Sequence, residues 1–243
     1  MSVATVFLAA LVTALATGLG ALPLLFGRRI EHLLGLGTAL AAGFMVGASV
    51  GLFHEGARSS LGRTAAGGAL GVVFIVVTRG VLGHRHHVGF GALRGADAVG
   101  ALMIVGVMTL HSFTEGIGVG VSFGDAAALG VLIATAIAVH NIPEGLAISL
   151  VLVPRGVSVS RAAAWSVFSS LPQPLMAVPA FLLVEWFEPV LAVGLGFAGG
   201  AMIWMVAAQL LPDALRTSSP IPVAAALSAA AAAMIGLQLV LLG

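Results

Sequence analysis

The hydrophobic positions of this chain fall in long unbroken runs, without the strict alternation of half-buried strands or the one-sided stripe of a soluble helix. The runs lie near residues 3–26, 33–54, 66–83, 98–122, 126–153, 162–184, 190–212 and 221–242. Each approaches the about 20 apolar residues that a helix needs to cross a bilayer core. Between them stand "GRRIEH", "EGARSSLGR", "LGHRHHVGFGALRGAD", "FGD", "PRGVSVSR", "EWFEP" and "LRTSSP", which gather the charges and turn formers. The pattern predicts an all-α integral membrane protein, an eight-transmembrane-helix bundle that fills residues 1–243 as a single domain. Residues 1–26 lack the positive start of a secretory leader and read as the first span.

Composition agrees: 60% of the 243 residues are hydrophobic and 8% are charged, with a mean hydropathy of +1.15. A soluble domain is excluded. No cysteine is present, which removes disulfides, thiolate metal sites and thiol nucleophiles. No basic patch suited to nucleic acid is found. The cationic residues are all Arg, and their placement is informative. Arg28, Arg29, Arg79, Arg85, Arg94, Arg155, Arg161 and Arg216 fall in the odd-numbered connections, whereas Arg58 and Arg63 fall on the other side. The positive-inside rule then puts the odd connections in the cytoplasm and both termini outside.

Residues 35–60, "GLGTALAAGFMVGASVGLFHEGARSS", resemble residues 194–219, "GLGFAGGAMIWMVAAQLLPDALRTSS". Five spans separate the copies, so they cross in opposite directions, which is the signature of an inverted repeat. The expected frame is helices 1–3 and 6–8 around a central helix 4–5 hairpin.

The chemistry sits in two similar stretches, "HSFTEGIGVG" from residue 111 and "HNIPEGLAIS" from residue 140. Residues four apart share a helix face, so His111 converges with Glu115 and His140 with Glu144. A carboxylate near the middle of a span costs on the order of 3 kcal/mol. Two such carboxylates need compensation. Two imidazoles and two carboxylates on neighbouring helices make a four-donor N/O set suited to a divalent first-row metal such as Zn(II). Pro143 leaves the carbonyl of Val139 without its usual donor.

At these residues the sequence resembles the ZIP (Zrt/Irt-like) metal transporter family, in particular its bacterial members. "HNIPEGLA" in an eight-span context carries the likeness, which extends over essentially the whole chain. The resemblance implies uptake of Zn(II), and of Fe(II), Mn(II), Co(II) or Cd(II) as further candidates, into the cytoplasm across a bacterial inner membrane. The motion implied is rocking or elevator-like. Metal would be substrate, and no cofactor is required.

The resemblance also implies a first metal site at His111, Glu115, His140 and Glu144. A neighbouring second site would fall on Ser112, Asn141 and Gln173, where this sequence supplies no further carboxylate. Those three are expected as auxiliary groups around a single ion. His54 and Glu55 are candidates for an entry path, Gln209 and Asp213 for an exit, and His84, His86 and His87 for a metal-handling cytoplasmic loop. Small-residue runs in span eight allow packing inside a protomer or between two in a homodimer. The alternatives are an intramembrane metalloenzyme and a proton-conducting protein. His-Glu-x-x-His and Glu-x-x-His metal motifs are absent, so an enzyme is not expected.

Overall fold

The computed structural model describes residues 1–25, 34–83, 89–91 and 93–242. Helix α1 spans Val3–Leu19, started by the Ser2 side chain, which accepts from the Thr5 amide. Helix α2 covers Leu34–Gly83 and is interrupted by extended backbone at Ser60 (φ −162°, ψ 106°). The chain reverses there. Phe53 lies against Gly68 and Gly56 against Thr64, although residues 53 and 68 would be about 22 Å apart on a straight helix. Ser60 Oγ accepts from the Arg63 amide at 3.4 Å and so caps the second leg of α2. The expected connection "EGARSSLGR" is therefore helical on both sides of one residue. Its Ala, Arg, Leu and Glu are good helix formers that polarity alone reads as a loop.

A two-residue hairpin, β1 (Gly89–Phe90) with β2 (Leu93–Arg94), precedes helix α3 at Gly95–Asp125. Helix α4, Ala127–Leu152, follows after Ala126 alone, and a 3-10 turn at Val153–Arg155 ends it. The expected helix 4–5 hairpin thus forms with a tighter joint than "FGD" suggests.

The apolar run at 162–184 is two helices, α5 (Val159–Ser170) and α6 (Pro172–Leu182), joined at Leu171. Pro172 explains the break, since its ring fits the first turn of a helix and clashes inside one. Gln173 consequently sits in the first turn of α6. Helix α7 (Val184–Met205) widens into a π-helical turn at Val206–Leu210 before helix α8 (Leu211–Thr217). Helix α9 spans Pro220–Leu242.

Packing falls into two groups. Helix α2 packs mainly on α7 and α9, while α3 packs on α6 and α4, and α1 on α4, α5 and α6. The main core joins the groups through Met45, Ile104, Met108, Ile148, Met202 and Leu210. Outward faces stay apolar, with Leu8, Val12 and Leu15 on α1 and Val73 and Val77 on α2 all exposed. Among the described residues, six helices are long and apolar enough to cross a membrane. An apolar exterior around helices of this length is that of an all-α, multi-pass membrane protein.

Candidate metal centre

His111 lies 15 residues before the Ala126 joint and His140 lies 14 after it (126 − 111 and 140 − 126). At 1.5 Å per residue both sit about 21–22 Å below the hairpin tip, at matched depth on antiparallel helices. Their i+4 partners Glu115 and Glu144 then fall on the facing surfaces. All four side chains are buried: His111 is 1%, Glu115 4%, His140 7% and Glu144 2% exposed.

Their donor atoms all lie within 4.8 Å of one another. Glu144 Oε1 is 2.9 Å from His111 Nε2 and 2.9 Å from His140 Nε2. Glu115 Oε1 is 3.4 Å from His111 Nε2 and 3.8 Å from His140 Nε2. Ligands about 2.1 Å from a tetrahedral metal stand about 3.4 Å apart, so the four separations straddle the value for one ion. His111 makes no aligned hydrogen bond from either ring nitrogen, although Nε2 faces a carboxylate oxygen. The other imidazole brings His140 Nε2 within hydrogen-bond distance of the same Glu144 oxygen, at 2.9 Å, and the four donors together are close enough to hold one cation.

A polar chain backs the centre. The Gln173 side-chain amide donates to Glu115 Oε2. Its carbonyl oxygen receives the Asn141 amide at 3.1 Å and the Thr13 hydroxyl. Asn141 Nδ2 also donates to the Thr13 backbone carbonyl at 2.8 Å. Two close backbone crossings assemble these groups. A Cβ on Gly145 would stand 1.7 Å from the Thr17 carbonyl oxygen, and one on Gly116 would stand 2.5 Å from the Gln173 carbonyl oxygen. Only glycine lets α1 reach α4 and α6 reach α3 so closely. Ser112 is buried, and its hydroxyl makes no hydrogen bond. Thr114, where the α4 repeat carries Pro143, bonds its own helix through the His111 carbonyl at 2.7 Å.

A cavity of about 150 Å³ lies against one side of the centre. Glu115 and His140 line it, together with Glu55 near the Ser60 reversal and Ser122 near the Ala126 joint. Of the two entry candidates, Glu55 faces this cavity and also approaches Arg58 at 3.9 Å. His54 is exposed and not part of its lining.

Polar contacts join the helices at the opposite end. Arg155 Nε lies 3.2 Å from Asp97 Oδ1, and its Nη2 lies 3.3 Å from Asp213 Oδ2. Gln209 donates to the Gly100 carbonyl at 3.2 Å. Gln209 and Asp213, the exit candidates, are thus engaged in contacts between helices. His84, His86 and His87 lie outside the described residues.

Sequence reasoning misses Thr13, Asp97 and the second role of Arg155. Thr13 and Thr17, four apart in the apolar body of α1 and 1% and 0% exposed, are the available signal. Two hydroxyls on one face of a span mark the side that meets other polar groups.

Comparison with known proteins agrees with this geometry. The profile of the ZIP Zinc transporter family matches residues 83–242, the stretch that carries α3 to α9 and all four donors. A protein of Arabidopsis thaliana provisionally named a zinc transporter is 47% identical over 237 residues. The match covers 96% of this chain and 38% of that relative, so the chain spans about two fifths of its length. With the motif-bearing helices inside the family match and the four donors gathered at one buried point, the chain belongs to the ZIP zinc transporter family.

Proposed function

We propose that this chain moves divalent metal ions, foremost Zn(II), across a membrane by alternating access to a centre made by His111, Glu115, His140 and Glu144. The observation that carries the reading is the convergence of four buried N/O donors beside a cavity, deep in a helical membrane protein. Two carboxylates offset the charge of one divalent ion. Neutral imidazoles add exchangeable bonds, and the absence of thiolate keeps the ion releasable.

Counting the two legs of α2 separately, and α5 with α6 and α7 with α8 as single passes, gives eight spans in one domain. The arginine distribution then puts the Glu55 side outside and the Arg155 side in the cytoplasm. An ion would enter from the cavity at Glu55, dehydrate onto the four donors, and leave once the Asp97–Arg155–Asp213 contacts part. The likeness of residues 35–60 to residues 194–219 supports an inverted relation between the passes before and after the α3–α4 hairpin, which would suit such an exchange of access. A bacterial inner membrane is the setting that the sequence resemblance suggests.

One ion is carried at a time. A second ion beside Ser112, Asn141 and Gln173 would have to share Glu115 and Glu144, leaving a net charge of about +2 in a low-dielectric site. The Gln173 amide already points a donor hydrogen at Glu115 Oε2. A metalloenzyme reading has no comparable support, because the family to which the chain belongs is one of transporters.

The test is uptake of radioactive zinc into proteoliposomes, with the metal content of the purified protein measured alongside. The unmodified chain should transport zinc and hold one central ion, while His140→Ala and Glu144→Ala should abolish uptake. Zinc-independent proton flux with no metal uptake would return the cluster to a proton relay. Two central ions at full occupancy would refute the single-ion site.

A further inference from the structure

We infer that Thr13 on α1 is a positioning residue of the metal centre, acting through Gln173 to fix how Glu115 presents its carboxylate. The inference rests on the reading of Glu115 as a ligand of the transported ion. Thr13 touches none of the four donors, and its influence passes through hydrogen atoms along the polar chain.

Asn141 Nδ2 faces the Thr13 backbone carbonyl at 2.8 Å. A carbonyl only accepts, so that position is the Asn141 amide nitrogen. The second hydrogen on the same nitrogen points to Gln173 at 3.1 Å, which makes the receiving atom the Gln173 oxygen. The Thr13 hydroxyl reaches that oxygen as well, sharing its proton with the Ala10 carbonyl at 2.6 Å. Both lone pairs of the Gln173 oxygen are then filled, and its amide nitrogen is turned onto Glu115 Oε2. One Glu115 oxygen is held by protein and the other, Oε1, is left facing the two imidazoles. Thr13 and Gln173 are 1% and 0% exposed, so no water replaces a lost partner cheaply.

Without the hydroxyl, the Gln173 amide loses one of its two anchors and can rotate away from Glu115. The carboxylate would then swing between binding modes, and the centre would bind metal more weakly with its donors all present. This is the way a partner outside the coordination shell tunes a metal ligand.

The experiment uses the full chain in proteoliposomes, with initial zinc uptake measured against zinc concentration and thermal unfolding measured in detergent. Thr13→Val, which keeps shape and loses the hydroxyl, should raise the zinc concentration for half-maximal uptake on the order of tenfold with unfolding little changed. Thr13→Ser should restore it. In a Gln173→Ala background, Thr13→Val should add nothing further, because the intermediary is gone. Half-saturation unchanged in Thr13→Val, effects of the two substitutions that multiply, or a loss that Thr13→Ser does not repair would each overturn the inference. Glu144→Ala in the same series separates the two levels. If it still transports zinc, the metal-centre reading itself fails; if it is inactive while Thr13→Val behaves like the unmodified chain, the Thr13 inference alone fails.

Discussion

Both imidazoles approach the same carboxylate oxygen, Glu144 Oε1, at 2.9 Å, whereas Glu115 Oε1 stands farther from each. Glu115 has its second oxygen engaged by Gln173, and the two Glu residues are therefore unequal despite their equivalent places in the repeated motif. Glu144→Gln should weaken zinc binding by more than about 100-fold, and Glu115→Gln by clearly less, as titrated by competition with a chromophoric chelator. Equal losses would contradict the asymmetry. At this scale the four donors are legible in the sequence, because a His and a Glu four residues apart in an apolar run are costly to bury unless a cation compensates them. Asn141 and Gln173 are reached through family resemblance. Thr13 is not: its spacing from Thr17 marks one face of α1 but names no partner, since its partners lie 128 and 160 residues away.

Among the elements, the contact of α1 with α4 decides whether that backing chain exists. Gly145 follows Glu144 directly and meets the Thr17 carbonyl, so any side chain there pushes α1 off α4 and separates Thr13 from Asn141. Gly145→Val should destabilise the bundle by about 1–3 kcal/mol and lower zinc uptake together with it, read from thermal unfolding and flux on the same preparation. Stability and uptake equal to the unmodified chain would show that the helices are less tightly apposed. Element existence is well marked by the apolar runs, and element ends are not. The polar stretch around Ser60 reads as a loop by composition but folds as helix on either side of one capped serine. The break at Leu171 is written in the closely spaced prolines 172 and 174, a signal overridden by the hydrophobicity of the run around them.

At the level of the molecule, the donors and their backing chain belong to α1, α3, α4 and α6, while α2, α7 and α9 supply the other wall of the cavity. Access to the centre then depends on how the two groups meet at their ends. Arg155 links α4 to Asp97 of α3 and to Asp213 of α8, at the end proposed to face the cytoplasm. Partly exposed ion pairs of this kind are weak, so they would part readily in the proposed exchange of access. The chain contains no cysteine, and a single Cys at the buried position Ala214 is a clean reporter. Arg155→Gln should speed labelling of that Cys about two- to fivefold. Unchanged labelling would assign the closure to the apolar packing around Leu210 instead.

The guanidinium between Asp97 and Asp213 is also a tethered counter-ion. The two acids that could hand an outgoing metal to water are occupied by a cation that can step aside but never leave. On the proposed route, release at that end would be an ion exchange and not a simple opening: a departing ion would compete with Arg155 for the same oxygens, and the protein's own charge would return behind it.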